Sequence, residues 1–347
     1  MKTPIKKQIL CTVIIILLTA ILLFFSKNYK NQNYTVTNNG FFFDTFVTIT
    51  IFDHDISKKE NYENLLIQAI NMCSEYEKLF SYTLKDSELY TINHSSNNNV
   101  HISVKMYDIL EKSIYYTSLT NGAFNIYLGE LWEMWDFNKH QIPSEEAIVT
   151  SLKKLKTNTP TLLESSLEYY TSTDKPYIHL GAIAKGYIAD EIKDFLIKHG
   201  VTSGIINLGG NVLTIGEKIS GEKYRIAITK PFAQSESIAY VDVDDYSVVT
   251  SGIYERYFQK NDRIYHHIIN PNTGYPVENN LNSVTIIAKS STAADALSTG
   301  IFVLGLDKGL DLINSLNDIY AIFIDKNNNI ILSDGLTIDS KNIITIK

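Results

Sequence analysis

Asp295 and Thr299 stand four residues apart in the stretch Ser291-Thr292-Ala293-Ala294-Asp295-Ala296-Leu297-Ser298-Thr299-Gly300, which follows the strand-like SVTIIAKS. On a helix both side-chain oxygens fall on one face. One anionic and one neutral hard oxygen suit Mg²⁺ that also holds phosphate oxygens and water. The structural alternative is an aspartate that serves only as a partner of the helix dipole. A second cluster runs from Ile178 to Asn211, IHLGAIAKGYIADEIKDFLIKHGVTSGIINLGGN. Its order predicts a strand feeding a turn at Gly181 to Gly186, then a helix with Ile188, Ile192, Phe195 and Leu196 on its apolar face. Glycines admit a ligand close to the backbone, and N–H groups at a helix start hold phosphate oxygens. Lys185, inside the first turn, is placed to complete a diphosphate cradle. The alternative here is a tight turn with Gly200 as an ordinary helix C-cap.

The segment Thr250-Ser251-Gly252-Ile253-Tyr254-Glu255-Arg256-Tyr257 passes a polar turn at Asn261 and Asp262 and reaches Tyr265-His266-His267-Ile268-Ile269-Asn270-Pro271-Asn272-Thr273-Gly274. It reads as a hairpin followed by a tight turn. Adjacent histidines on a strand point to opposite faces, so at most one faces a given site. His267 lies nearer the turn, where an imidazole can take a proton from a hydroxyl nucleophile. A half-buried histidine bonded to backbone is the structural alternative.

These segments closely resemble the ApbE family of FAD:protein FMN transferases. The resemblance also takes in Phe43-Asp44-Thr45-Phe46-Val47-Thr48-Ile49-Thr50, Phe80-Ser81-Tyr82-Thr83 with Asp86-Ser87-Glu88-Leu89, Gly122-Ala123-Phe124-Asn125 and Trp135-Asp136-Phe137, all in the family's order. It implies a Mg²⁺-dependent enzyme that splits the diphosphate of FAD, releases AMP and leaves FMN esterified to a threonine or serine of an acceptor protein. It further implies Asp295, Thr299, the Ala182 carbonyl and Ser298 as metal ligands, and Lys185 on the phosphates or ribose. Gly209 and Gly210 would admit the cofactor, with Phe43, Thr83, Ala123, Phe124 and the backbone at Ile269 lining its pockets, and His267 as base. The chain departs from the family at His179 and Asn125, two further cofactor-side positions, and at Asn270, where aspartate is common. Each asparagine keeps an acceptor but loses a charge.

The acceptor implied is a separate extracytoplasmic or membrane electron carrier with a Ser/Thr-Gly-Ala-Ser/Thr-like motif, since this chain has none of its own. A FAD diphosphatase, which gives FMN and AMP to water, would use the same residues. A membrane-tethered flavin-binding protein without turnover would have less need of the metal pair.

Strands such as Val47 to Phe52, Tyr224 to Thr229 and Val284 to Ala288, with helices between, predict an α+β body of largely antiparallel sheets. The resemblance adds a cofactor cleft between two lobes. The chain of 347 residues is 44% hydrophobic, ample for a large core, and its net charge of −7 gives no reason to expect nucleic-acid binding. Lys2, Lys6 and Lys7 precede an apolar run from Ile9 to Phe25 without a small-x-small cleavage site after it. This predicts an uncleaved membrane anchor within residues 1–30, a polar tether at 31–40 and a catalytic domain at 41–347 outside the cell membrane. Cys11 belongs to the run, which leaves Cys73 as a lone helical thiol, buried by default.

Overall fold

The computed structural model describes residues 33–157, 160–171 and 175–347. The expected anchor at Ile9–Phe25 lies outside these residues, and among them no helix is long and apolar enough to cross a membrane.

The architecture is α+β. Eight strands form the main sheet in the order β1-β2-β6-β7-β10-β13-β14-β15. They span Tyr34–Phe42 (β1), Thr45–Asp53 (β2), Gly204–Leu208 (β6), Asn211–Ile215 (β7), Ser247–Gly252 (β10), Leu281–Ala288 (β13), Ile319–Asp325 (β14) and Ile330–Leu332 (β15). A four-stranded sheet, β16-β17-β9-β8, comprises Tyr224–Lys230 (β8), Ala233–Val243 (β9), Leu336–Ile338 (β16) and Ile343–Ile346 (β17). Pairing is antiparallel throughout except where β17 runs parallel to β9. A small sheet of Asn99–His101 (β3), Thr161–Leu163 (β4) and Glu168–Tyr170 (β5) and a hairpin of Tyr257–Lys260 (β11) and Arg263–His266 (β12) complete the strands.

The main sheet is covered in halves. Helices Lys59–Phe80 (α1) and Ala184–Lys198 (α6) pack on the β1-β2-β6-β7 half, burying Leu66, Cys73, Ile188, Ile192 and Leu196 against Ile49, Ile206 and Leu213. Helix Ser291–Leu304 (α7) covers the other half, where Leu297, Ile301 and Phe302 meet Val284 and Ile286. On its opposite face β13 sends Ile287 into the four-stranded sheet, against Ile228 and Val241. All eight β13 residues are therefore buried, which is why SVTIIA reads as a continuous apolar run instead of alternating. The two halves part at β7 and β10, which pair only through Ser247–Leu213 and Val248–Val212. Beyond Val248 the sheet opens into a cleft, so the two lobes share one sheet.

The remaining helices are Glu88–His94 (α2), Val104–Leu119 (α3), Gly129–Trp135 (α4), Glu145–Thr157 (α5) and Leu306–Asn314 (α8). Ser87 and Ser103 cap α2 and α3 by accepting the N–H groups of Tyr90 and Met106.

Two expectations about the glycine segment need correction. Ile178 belongs to no strand; its N–H and C=O are both taken by the buried Asn93 side chain, at 2.8 and 2.9 Å. The helix begins earlier than expected, at Ala184, so Lys185 and Gly186 lie in its first turn. Asn93→Ala strands both polar groups of a buried residue, and the chain is expected to lose about 3 kcal/mol of stability, measured as a lower urea midpoint.

Candidate functional site

One cavity of about 780 Å³ opens where the sheet parts, within the size range of small-molecule sites. Its floor is the contact of α6 with α7. Each helix caps the other. Asp190 of α6 accepts the N–H groups of Ser291 and Thr292 at 2.7 and 2.9 Å, while Asp295 of α7 accepts the Gly186 N–H at 2.9 Å. Gly186 is required by proximity, since a Cβ there would lie 2.2 Å from the Ser291 carbonyl oxygen. Because Gly186 turns its N–H to Asp295, the Ala182 carbonyl four residues earlier has no backbone donor among the described residues. Lys185 folds over the same spot, its Nζ 3.5 Å from Asp295 Oδ1 and 3.3 Å from the Gly181 carbonyl oxygen.

Thr299 joins this group through a hydroxyl chain. Ser298 Oγ donates to the Asp295 carbonyl at 2.9 Å, so Ser251 Oγ, 2.8 Å away, must donate to Ser298. Ser251 in turn accepts from Thr299 Oγ1 at 3.2 Å. Each hydroxyl has one hydrogen, so this direction leaves the Thr299 lone pairs uncommitted. Ser298 is wholly buried and does not line the cavity, and its hydroxyl serves as a link in this chain. The Asp295 carboxylate, the Thr299 hydroxyl and the Ala182 carbonyl, all on the cavity wall, form the oxygen donor set that Mg²⁺ requires, and the residues present fit that ion.

The walls come from distant parts of the chain. Phe43 and Asp44, both with positive φ, make the two-residue turn between β1 and β2, and Glu77 of α1 holds the Phe43 N–H at 2.7 Å. Gly209 and Gly210 make the β6–β7 turn with φ of 61° and 90°. A Cβ on Gly209 would strike Thr45 at 2.2 Å, whereas one on Gly210 would meet nothing within 4 Å. Gly209 thus packs against the neighbouring turn, and Gly210 is open. Thr83, Ala123, Asn125 and Ile269 also line the cavity. Phe124 lines the cavity as well, with its side chain wholly buried and its ring 6.5 Å from that of Tyr116. His179 stacks on Trp132, with ring centres 4.7 Å apart, and meets Tyr82 at 4.5 Å, which makes an aromatic wall.

Asn125 and Asn270 keep local tasks that need only an acceptor. Asn125 Oδ1 accepts the Tyr127 N–H at 2.8 Å, and Asn270 Oδ1 accepts the Asn272 N–H at 2.9 Å. The Asn270 turn is further held by Trp135, whose Nε1 donates to the Gly274 carbonyl at 2.8 Å.

The two histidines point apart as expected. His266 is buried, with Nε2 donating to the Val277 carbonyl, whereas His267 faces the cavity. His267 Nδ1 lies 3.3 Å from the Arg256 carbonyl oxygen, which can only accept, so Nδ1 carries the proton and Nε2 is left as the basic nitrogen. Desolvation, aided by His266 and Arg256, pushes His267 down to about 3. Desolvation also lowers His179 and His266 to about 4.

Glu255 was missed by sequence reading. Although solvent reaches it along the cleft, protein surrounds it, and desolvation raises its carboxyl to about 7, with Asp295 adding and Lys185 and Arg256 opposing. Its only signal is a charged pair, Glu255-Arg256, set between Tyr254 and Tyr257.

These shifts fix a pH dependence of stability. Unfolded histidines bind protons near 6.5, but the folded ones do so only near 3 to 4, so stability is lost as pH falls through that window. Glu255 acts oppositely, because its folded carboxyl keeps a proton up to about 7, against 4.5 unfolded. Three groups outweigh one, and the urea midpoint is expected to be lower at about pH 5 than at about pH 7. A midpoint that rises on acidification would contradict these environments.

Compared with known proteins, residues 43–323 match the model of the ApbE family. The chain is 34% identical over 291 residues to the FAD:protein FMN transferase of Klebsiella pneumoniae, covering 83% of this chain and 88% of that one. Its fold is similar to the ApbE protein of Thermotoga maritima, with a TM-score of 0.78, 28% identity and coverage of 87% and 97%. The flavin transferase ApbE of Vibrio cholerae follows, with a TM-score of 0.74, 27% identity and coverage of 87% and 98%. With most of its length matched in sequence and in fold, the chain belongs to the ApbE family.

Proposed function

We propose that the protein transfers FMN from FAD to a serine or threonine hydroxyl of an acceptor protein and releases AMP. The observation that carries this is the convergence, on one cavity, of the α6 start, Lys185, the Asp295–Thr299–Ala182 oxygens and the free Nε2 of His267. Relatives named FAD:protein FMN transferase support it.

Each residue has a physical task. Lys185 holds the diphosphate with its ammonium, while the N–H groups of Ala184 and Gly186 at the start of α6 are given to the Leu180 carbonyl and Asp295. Asp295, Thr299 and the Ala182 carbonyl would hold Mg²⁺, which neutralises phosphate charge when bound. The aromatic wall of Trp132, His179 and Tyr82 supports a stacked ring, and its neutral histidine costs no charge burial. The acceptor oxygen bonds to the FMN phosphorus, the bond from that phosphorus to the AMP oxygen breaks, and the acceptor proton passes to His267 Nε2. Bound phosphate opposes the lowering of that imidazole, since nearby negative charge favours its protonated form.

The acceptor is an electron-transfer protein, and this chain works outside the cell membrane on an anchor within residues 1–30. The apolar run with its preceding lysines supports that placement. Peptide mapping tests the linkage. FMN mass on a single serine or threonine, absent when EDTA is present during the reaction and restored by excess Mg²⁺, is expected. Labelling that proceeds in EDTA would refute the metal assignment.

A further inference from the structure

β8 is the last strand of its sheet and is hydrogen-bonded on one side only, to β9. Its residues Ile226, Ala227, Ile228 and Thr229 all line the cavity. Strand side chains alternate, so a wall made by one face would use every second residue. Four in a row mean that the strand meets the cavity along its edge, with its backbone N–H and C=O groups. Ile228 makes the point directly, since it is 1% exposed and its side chain sits in the core with Ala239 and Val241. No other backbone group of the described residues bonds to Ile226–Thr229.

Open edges are ordinarily blunted by charge, proline or a covering loop. Here Ala227 and its neighbours leave the edge bare inside the cleft. From this placement we propose that the edge of β8 receives the hydroxyl-bearing segment of the acceptor protein as an added, extended strand. The inference rests on the transferase reading, because only a transferase must bring a peptide to the diphosphate. A strand edge presents the N–H and C=O of every second residue, a repeat of roughly 6.6 Å, which matches a second main chain and not a nucleotide. The cofactor's phosphates already have a partner in Lys185. Past the end of β8, exposed Phe232 packs edge-on to Tyr254 of the cavity wall, with centres 5.9 Å apart, and offers the arriving segment an apolar rest.

The test uses the full chain and a synthetic peptide carrying a Ser-Gly-Ala-Thr site. Backbone nitrogens of the peptide are methylated one at a time, and FMN transfer is read by mass. Strand addition predicts losses of about tenfold or more at alternate positions and tolerance between them. Losses without alternation, or none, would overturn it. Hydrogen exchange supplies a second reading, with valine in place of threonine in the peptide to prevent turnover. Residues 226–229 should be protected when this peptide is added to FAD-loaded protein and not by FAD alone. Equal protection by FAD alone would assign the edge to the cofactor and refute the proposal. If the unmethylated peptide stays unlabelled while FAD is consumed, the transferase reading itself fails, and the proposal with it.

Discussion

Asp295→Asn is expected to lower FMN transfer by at least about a hundredfold while the chain stays folded. Asparagine keeps the size of the side chain and an oxygen for the Gly186 N–H, now 2.9 Å from Asp295 Oδ2, so the cap on α6 survives. What disappears is the single negative charge that, with the Thr299 hydroxyl and the Ala182 carbonyl, would hold Mg²⁺ at the diphosphate. Asp295→Ala is the poorer test, because it also leaves the Gly186 N–H without a partner in a buried place. Turnover by Asp295→Asn at the normal rate, with an unchanged thermal midpoint, would show that the carboxylate serves only as a helix cap.

Gly186→Ala is expected to lose about 3 kcal/mol of stability, at the upper end of overpacking effects, and to abolish activity in whatever protein remains folded. A Cβ at this position would lie 2.2 Å from the Ser291 carbonyl oxygen and 2.7 Å from Asp295 Cβ. Both are fixed, one as backbone and one as the root of a buried side chain, so the helices must separate. Separation breaks the reciprocal caps and carries Asp295 away from Lys185. A thermal melt and a turnover assay on one preparation check this. A midpoint equal to the parent's would mean that the two helices can slide apart freely.

The chemistry was more legible in the sequence than the architecture that delivers it. Asp295 and Thr299 share a helix face because four-residue spacing requires it, and His266 and His267 diverge where β12 ends, His266 as its last residue and His267 just past it. The paired glycines marked a turn that only positive φ permits. Signals that arise only from assembly were not readable. The segment at Ile178 looked like a strand, yet its hydrogen-bonding partner is a side chain 85 residues away. Gly186 looked like turn punctuation, but its lack of a side chain is needed for helix contact. Ser298 enters the metal set only through the resemblance, and its hydroxyl bonds in the folded chain to the Asp295 carbonyl and Ser251, which no spacing reveals. Glu255 acquires its raised pKa from desolvation, which no local pattern encodes.

The most direct measurement is the intact mass of an acceptor protein incubated with this chain, FAD and Mg²⁺, alongside quantification of AMP. A gain of one FMN per acceptor with an equal amount of AMP is the result this account predicts. Free FMN and AMP with an unlabelled acceptor would contradict it and identify a diphosphatase.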